Sequence, residues 1–291
     1  MTSFGSAKHP PMGTLREVFG PAGDRASAVA ALLYQYEIDR EFPDAVMLEA
    51  KAAPQAVEES AVAGRLDLRD KVMITIDGAS SKDLDDAVSL ERDGLGRWVL
   101  GVHIADVSHY VRPGSALDLE AWERGTSVYF ADQVVPMLPR ELSNGICSLN
   151  PRVDRLALSC VMTLTPEGEV VDHTIAKSVI RTTERMTYED CNALLAHSAP
   201  ALAERYARIL PMLEDMAALS RVLEGRRRRR GALELDTRES YVVCDESGTP
   251  VDVVLRTPGI SEGLIESFML AANECVAEHL NRLDKPCVYR V

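Results

Sequence analysis

Between Ile76 and Val88 the chain carries four aspartates, Asp77, Asp83, Asp85 and Asp86, in the segment Asp-Gly-Ala-Ser-Ser-Lys-Asp-Leu-Asp-Asp, directly after the apolar run Val72-Met73-Ile74-Thr75-Ile76. Such a run folds as a strand, and a strand that discharges into four carboxylates must leave them in water or set positive charge between them. Hard oxygen donors select a hard cation. Mg²⁺ takes one or two carboxylates and completes its shell with water and phosphate oxygens, so two ions could share this cluster. The segment reads as a metal-dependent phosphoryl-transfer site. The plainer alternative is an acidic surface loop, where most aspartates sit. Against it, Asp77 closes the strand, and Gly78 allows a turn that swings the later carboxylates back. Asp85 and Asp86 are neighbours and would face opposite ways in a regular strand, so the Asp83, Asp85, Asp86 trio is expected in a loop or bulge.

Other carboxylate motifs fit less well. An EF-hand starting at Asp77 would need ligands where the chain has Ala79 and Ser81, glycine where it has Lys82, and glutamate where it has Val88. A phosphatase of the haloacid dehalogenase kind would place an Asp-x-Asp at the end of an apolar strand. Asp83-Leu84-Asp85 instead follows Ser80-Ser81-Lys82, which leaves that as a weak alternative.

With 291 residues, 46% of them hydrophobic, the chain can bury a sizeable core. No apolar stretch approaches the roughly 20 residues that span a bilayer, and Met1 to Pro10 has no apolar signal core, so a cytoplasmic location is expected. The six cysteines contain no Cys-x-x-Cys pair and read as buried apolar residues. The net charge of −13 argues against a broad basic surface that grips nucleic acid. A site that draws phosphates in through bound cations nevertheless needs acidic residues.

A helix is expected over Ala26 to Tyr36, and Glu58 to Asp70 reads as a linker. Two hairpins follow: Ala87 to Leu90 with Trp98 to Val107, and Ser159 to Thr165 with Val170 to Ile180. Helices are expected at Tyr188 to Leu195, about Ala201 to Arg227, and Glu262 to Leu283 with Ser261 as N-cap; a strand pair flanks the turn Asp245-Glu246-Ser247-Gly248. Strands first and helices later, mostly hairpin-connected, predict an α+β fold: a mixed, largely antiparallel sheet flanked by helices.

Further blocks join the aspartate segment: Val102-His103-Ile104-Ala105-Asp106-Val107-Ser108-His109-Tyr110-Val111, Gly125-Thr126-Ser127-Val128-Tyr129-Phe130, Val135-Pro136-Met137-Leu138-Pro139 and Leu142-Ser143-Asn144-Gly145-Ile146-Cys147-Ser148-Leu149-Asn150-Pro151. Together and in this order they resemble the catalytic (RNB) domain of the ribonuclease II/ribonuclease R family, more closely that of ribonuclease R. The resemblance implies processive 3′-to-5′ hydrolysis of single-stranded RNA to 5′-mononucleotides, with Mg²⁺ held by Asp77, Asp83, Asp85 and Asp86. It also implies that Tyr129 packs against the terminal nucleotide and that Glu266 reaches toward the substrate, Ser267 standing where the family usually has a second glutamate. Without the resemblance, Tyr129 is equally an ordinary strand aromatic; Asp106, at the end of the second hairpin strand, either backs up the cluster or is a capping or turn residue, and His103 and His109 read as packed or surface histidines. The arginine run 226–230 could contact RNA backbone or form the solvated end of a helix.

The resemblance begins near Gly64. Residues 1–63 are then a lead-in segment after an absent RNA-binding module, and 64–291 a catalytic domain incomplete at its C-terminus, its family arginine lying beyond Val291. The alternative to an active exoribonuclease is a weak or inactive fragment that binds RNA or Mg²⁺, the missing parts being supplied elsewhere.

Overall fold

The computed structural model describes residues 4–6, 8–10, 12–233, 239–245, 248–255 and 257–289. The chain divides into two compact units, 1–44 and 45–291. In the first, helix α1 (Arg25–Gln35) is capped by Asp24, whose carboxylate accepts from the Ser27 N–H at 2.8 Å.

Helix α2 (Asp44–Ala52) runs into the second unit from its boundary, and α3 (Glu59–Val62), β1 (Leu66–Asp67) and β2 (Ile74–Asp77) follow, then the hairpin of β3 (Asp86–Arg92) and β4 (Trp98–Ala105). Helix α4 (Ala116–Arg124) and a small ribbon of β5 (Val128–Tyr129) and β6 (Val134–Val135) lead to the long hairpin β7 (Asp154–Leu164) and β8 (Val170–Arg181). Then come β9 (Glu184–Thr187), α5 (Tyr188–Leu195), α6 (Pro200–Arg205), α7 (Leu210–Arg229), the ribbon β10 (Ser240–Cys244) and β11 (Pro250–Leu255), and α8 (Ile260–Arg282). Glu246 and Ser247, expected in the turn of that ribbon, lie outside the described residues.

Seven strands form one sheet in the order β1-β8-β7-β4-β3-β2-β9. The inner pairings are antiparallel, whereas β1 and β9 lie parallel to β8 and β2. This is the expected α+β architecture, a largely antiparallel sheet with helices on it. One face carries Ile74, Ile76, Val88, Leu100, Val102 and Met162, which pack with Leu213 and Met216 of α7 and Leu264 and Phe268 of α8. Burying Phe268 alone removes enough apolar surface to contribute roughly 2–3 kcal/mol.

The opposite face holds Met73, Leu84, Ala87, Ala105, Leu149, Ala157 and Ile180. Between its alanines runs a polar ladder across four strands. His103 on β4 is bonded through Nε2 to Ser89 Oγ on β3 at 3.1 Å and through Nδ1 to Ser159 Oγ on β7 at 2.7 Å. Ser159 meets Ser178 Oγ on β8 at 2.6 Å. Every polar atom in this buried chain finds a partner, as burial demands.

Several expectations change. The helix over Ala201 to Arg227 is two helices, because Pro211 has no N–H to donate and is tolerated only in a first turn. The N-cap of α8 is Gly259, whose N–H donates to Glu262 Oε2 at 2.9 Å; Ser261 lies inside the helix and donates its hydroxyl to the Tyr188 carbonyl. The stretch 58–70 is more than a linker, since it holds α3 and the edge strand β1 paired with β8. Cys147, Cys160, Cys191 and Cys275 are buried, but Cys244 and Cys287 are only partly so. No helix among the described residues is long and apolar enough to cross a membrane.

Candidate functional site

The four aspartates frame the connection from β2 to β3. Asp77 is the last residue of β2 and pairs with Thr187 on β9, while Asp86 is the first of β3 and pairs with Ile104 on β4. Asp86, expected in a loop or bulge, is thus a regular strand residue, but Asp83 and Asp85 stand in the loop between, as expected. Leu84 separates them and is buried against the second core. In extended chain the two residues flanking it share the other side, so Asp83 and Asp85 are presented together.

The loop is tied at several points. Ser148 Oγ donates to the Lys82 carbonyl at 2.9 Å and accepts the Leu84 N–H at 3.0 Å. The Leu149 N–H donates to the Leu84 carbonyl at 2.8 Å, and the Ala105 N–H to that of Asp85 at 2.9 Å. From β9, Arg185 Nη2 reaches the carbonyls of Gly78, Ala79 and Ser81 at 3.3, 3.0 and 2.6 Å. Asp77 Oδ1 accepts from the Gly78 N–H and the Ser81 hydroxyl, both at 2.7 Å. Gly78 itself is not at positive φ, so the turn rests on these bonds rather than on glycine's freedom, contrary to the sequence expectation.

Burial first, then the charges of Asp77 and Asp85, push the Asp86 carboxyl up to about 6. Asp85 is also raised, by desolvation and then by Asp83 and Asp77. Asp83 and Asp77 thus act on Asp85, and Asp77 and Asp85 on Asp86, across Coulombic range. None is paired with a cationic side chain among the described residues. The donors are all carboxylate oxygens, the set a hard divalent ion takes, and Asp77 Oδ2 is free of the bonds that occupy Oδ1. As the side chains stand, however, no group of three or more Asp, Glu, His or Cys among the described residues is gathered closely enough to hold a metal ion. Closure on an ion would need the carboxylates to turn inward.

Nearby Cys147 offers no nucleophile: burial and then the Asp85 charge push its thiol up to about 12. Tyr129 stands 68% exposed on β5, its ring open to a stacking partner. Glu266 is exposed on α8 and lines a cavity of about 700 Å³ with Arg221, Glu224 and Arg227, and it is not among the charges acting on Asp85 or Asp86. Asp106 does not back up the cluster. It is ion-paired with Arg65 at 2.7 Å and accepts the Ser108 hydroxyl. His103 is packed in the ladder, and His109 lies beside Arg65. In the arginine run, Arg226 donates to the Gly168 carbonyl and Arg230 pairs with Glu274 at 2.7 Å, so these two act within the fold. Sequence reasoning passed over Arg185, which acts on backbone carbonyls and leaves no side-chain pattern. Ser148 lies in the block from Leu142 to Pro151, where its residue type alone suggests no role.

A family model described as "RNB domain" matches residues 65–291. Ribonuclease R 1 of Lactococcus lactis subsp. lactis (strain IL1403) is 50% identical over 279 residues, covering 96% of this chain and 34% of that protein. The chain thus spans about a third of that curated relative's length. Mycoplasma genitalium RNase R in complex with double-stranded RNA superposes with a TM-score of 0.88 at 32% identity, covering 95% of this chain and 48% of that one. The same protein with ribose methylated single-stranded RNA gives 0.86 at 31%, over 92% and 42%. With the strand-exit aspartates, the sheet and the family match in agreement over most of its length, the chain belongs to the RNB domain family.

Proposed function

We propose that this chain carries the catalytic centre of a hydrolytic 3′-to-5′ exoribonuclease acting on single-stranded RNA and releasing 5′-mononucleotides. The observation that supports it best is electrostatic: four carboxylates at and within a tied loop, Asp85 and Asp86 raised by burial and their neighbours' charges, and no cationic side chain paired with any of them among the described residues. That arrangement costs free energy unless cations complete it. Asp77, Asp83, Asp85 and Asp86 would hold Mg²⁺, which when bound supplies a nucleophilic water at neutral pH and charge stabilisation for the leaving oxygen. The chain's residues do the positioning. Arg185 and Ser148 fix the loop backbone, Leu84 aims Asp83 and Asp85 to one side, and the exposed Tyr129 ring offers a stacking surface worth roughly 1–3 kcal/mol per base. Glu266, solvent-facing on α8, would meet the strand further from the scissile bond.

The competing reading, binding without turnover, draws on the open arrangement of the same carboxylates. One assay separates them. A 5′-labelled single-stranded RNA is incubated with the chain and Mg²⁺, beside Asp85→Asn. Stepwise shortening that the substitution abolishes is the expected result; intact RNA in both lanes decides for binding alone.

A further inference from the structure

On this acidic chain one concavity is predominantly basic. A pocket of about 460 Å³ is walled by Arg69, Lys71, Arg152, Arg181, Arg205 and Arg208, with only Asp70 and Glu184 as acidic lining residues. The cations come from separate parts of the fold: the β1–β2 connection, the approach to β7, the end of β8, and the end of α6 with the turn after it. The site lies at the Glu184 end of β9, whereas Asp77 pairs with Thr187 at the other end. Three residues of strand put roughly 10 Å between the two levels.

Four of the six are held by carboxylates. Arg69 bonds Asp67 and Asp154, Arg181 bonds Asp154, Lys71 bonds Glu91, and Arg152 bonds Glu184. Arg152 is held at φ +65°, a conformation uncommon for a side chain of its size, while its N–H donates to the Thr182 carbonyl at 2.8 Å. Arg205 and Arg208 are exposed and have no carboxylate partner among the described residues; Arg205 lies over the Tyr206 ring, 5.0 Å from its centroid. Two uncompensated guanidiniums, beside four cations already paired with carboxylates, around a cavity of this size suit a phosphate group, since the guanidinium fork matches two phosphate oxygens. The walls are too charged for an apolar guest.

We propose that this pocket is a phosphate-binding site separate from the aspartate loop, taking either an RNA backbone phosphodiester or a free phosphate monoester such as a nucleoside 5′-monophosphate. It does not depend on turnover, so it is tested on the full chain in EDTA. Fluorescence anisotropy of a 5′-fluorescein oligoribonucleotide is measured against salt, with adenosine 5′-monophosphate and inorganic phosphate as competitors. The chain is compared with Arg205→Ala/Arg208→Ala and with Lys285→Ala, an exposed cation outside the pocket. Melting temperatures check that all three are folded.

The expected result is RNA binding weakened at least about fivefold in the double variant only, with a salt slope shallower by about 0.7 for each phosphate that is no longer neutralised. Displacement by the monophosphate that disappears in the double variant assigns the monoester; a change in RNA binding without competition assigns the backbone. Unaltered affinity and slope in the double variant, an equal loss in Lys285→Ala, or no binding of any of the three probes by the unaltered chain overturns the proposal. An absence of RNA shortening in Mg²⁺ would bear on the aspartate loop alone.

Discussion

His103 is enclosed between two serine hydroxyls on the sheet face away from the helices, and burial pulls its imidazole down to about 4. The unfolded chain takes up that proton near 6.5. Between the two values the unfolded state binds more protons, so this residue's contribution is complete above about 6.5 and is lost as pH falls toward 4, by roughly 3 kcal/mol at most. Urea midpoints measured from pH 7 to 4 should fall for the unaltered chain and flatten in His103→Gln. Asp86 acts in the opposite sense. Its folded value lies above the ordinary 3.8, so without a cation the chain is favoured at acid pH and loses that contribution as pH rises from about 4 to about 6. A protonated Asp86 is also a poor ligand. If the four aspartates hold Mg²⁺ as proposed, the ion should raise Tm at pH 7.5, less at pH 5, and at neither in Asp86→Asn; equal rises at the two pH values would remove this carboxylate from the site. At Gly101 an added Cβ would come within 2.7 Å of His103 Nε2 and also collide with Ser89 Oγ, so Gly101→Ala should cost about 1–3 kcal/mol by chemical denaturation.

Among the elements, the segment before β1 is fastened by a buried ion pair. Arg65 Nη2 meets Asp106 at 2.7 Å, and the same guanidinium donates to the carbonyls of Ala61 and Ser178. Burial alone would raise the Asp106 carboxyl, but the hydrogen bonds from Arg65 and Ser108 and the charges of Arg65 and Lys177 outweigh it, so the net shift is downward. Its contribution is accordingly present at neutral pH and lost as pH falls through the lowered value. Asp106→Ala leaves Arg65 buried without its anion and should cost about 3–5 kcal/mol in denaturant titrations. The hairpins and the acidic loop were legible because their signals are local: alternation, turn residues and adjacent carboxylates. The outer strands were not, since Leu66 finds Ser178 and Ile74 finds Glu184 more than a hundred positions away, and neither leaves a local mark. The break at Pro211 was written in the sequence and outweighed by the apolar spacing of Tyr206, Leu210 and Leu213, which runs across both helices. At the site, adjacent carboxylates marked the acidic loop, whereas Arg185 stayed hidden because it serves carbonyls.

For the molecule as a whole, the two tryptophans report different things. Trp98 is 4% exposed beneath the Arg92 guanidinium, which sits 3.3 Å from its ring centroid, and Trp122 on α4 is 87% exposed. Iodide should quench one fluorescence component in the folded chain and both after unfolding; two equally quenched components in the native state would place Trp98 at the surface. The sheet closes on its outer side through the parallel pairing of β2 with β9, a contact between residues distant along the chain and hence slow to form. Arg185, which organises the loop after Asp77, arrives on that same strand. During synthesis on the ribosome, the acidic loop therefore emerges about a hundred residues before its clasp, and its backbone lacks that tie until β9 has left the exit tunnel.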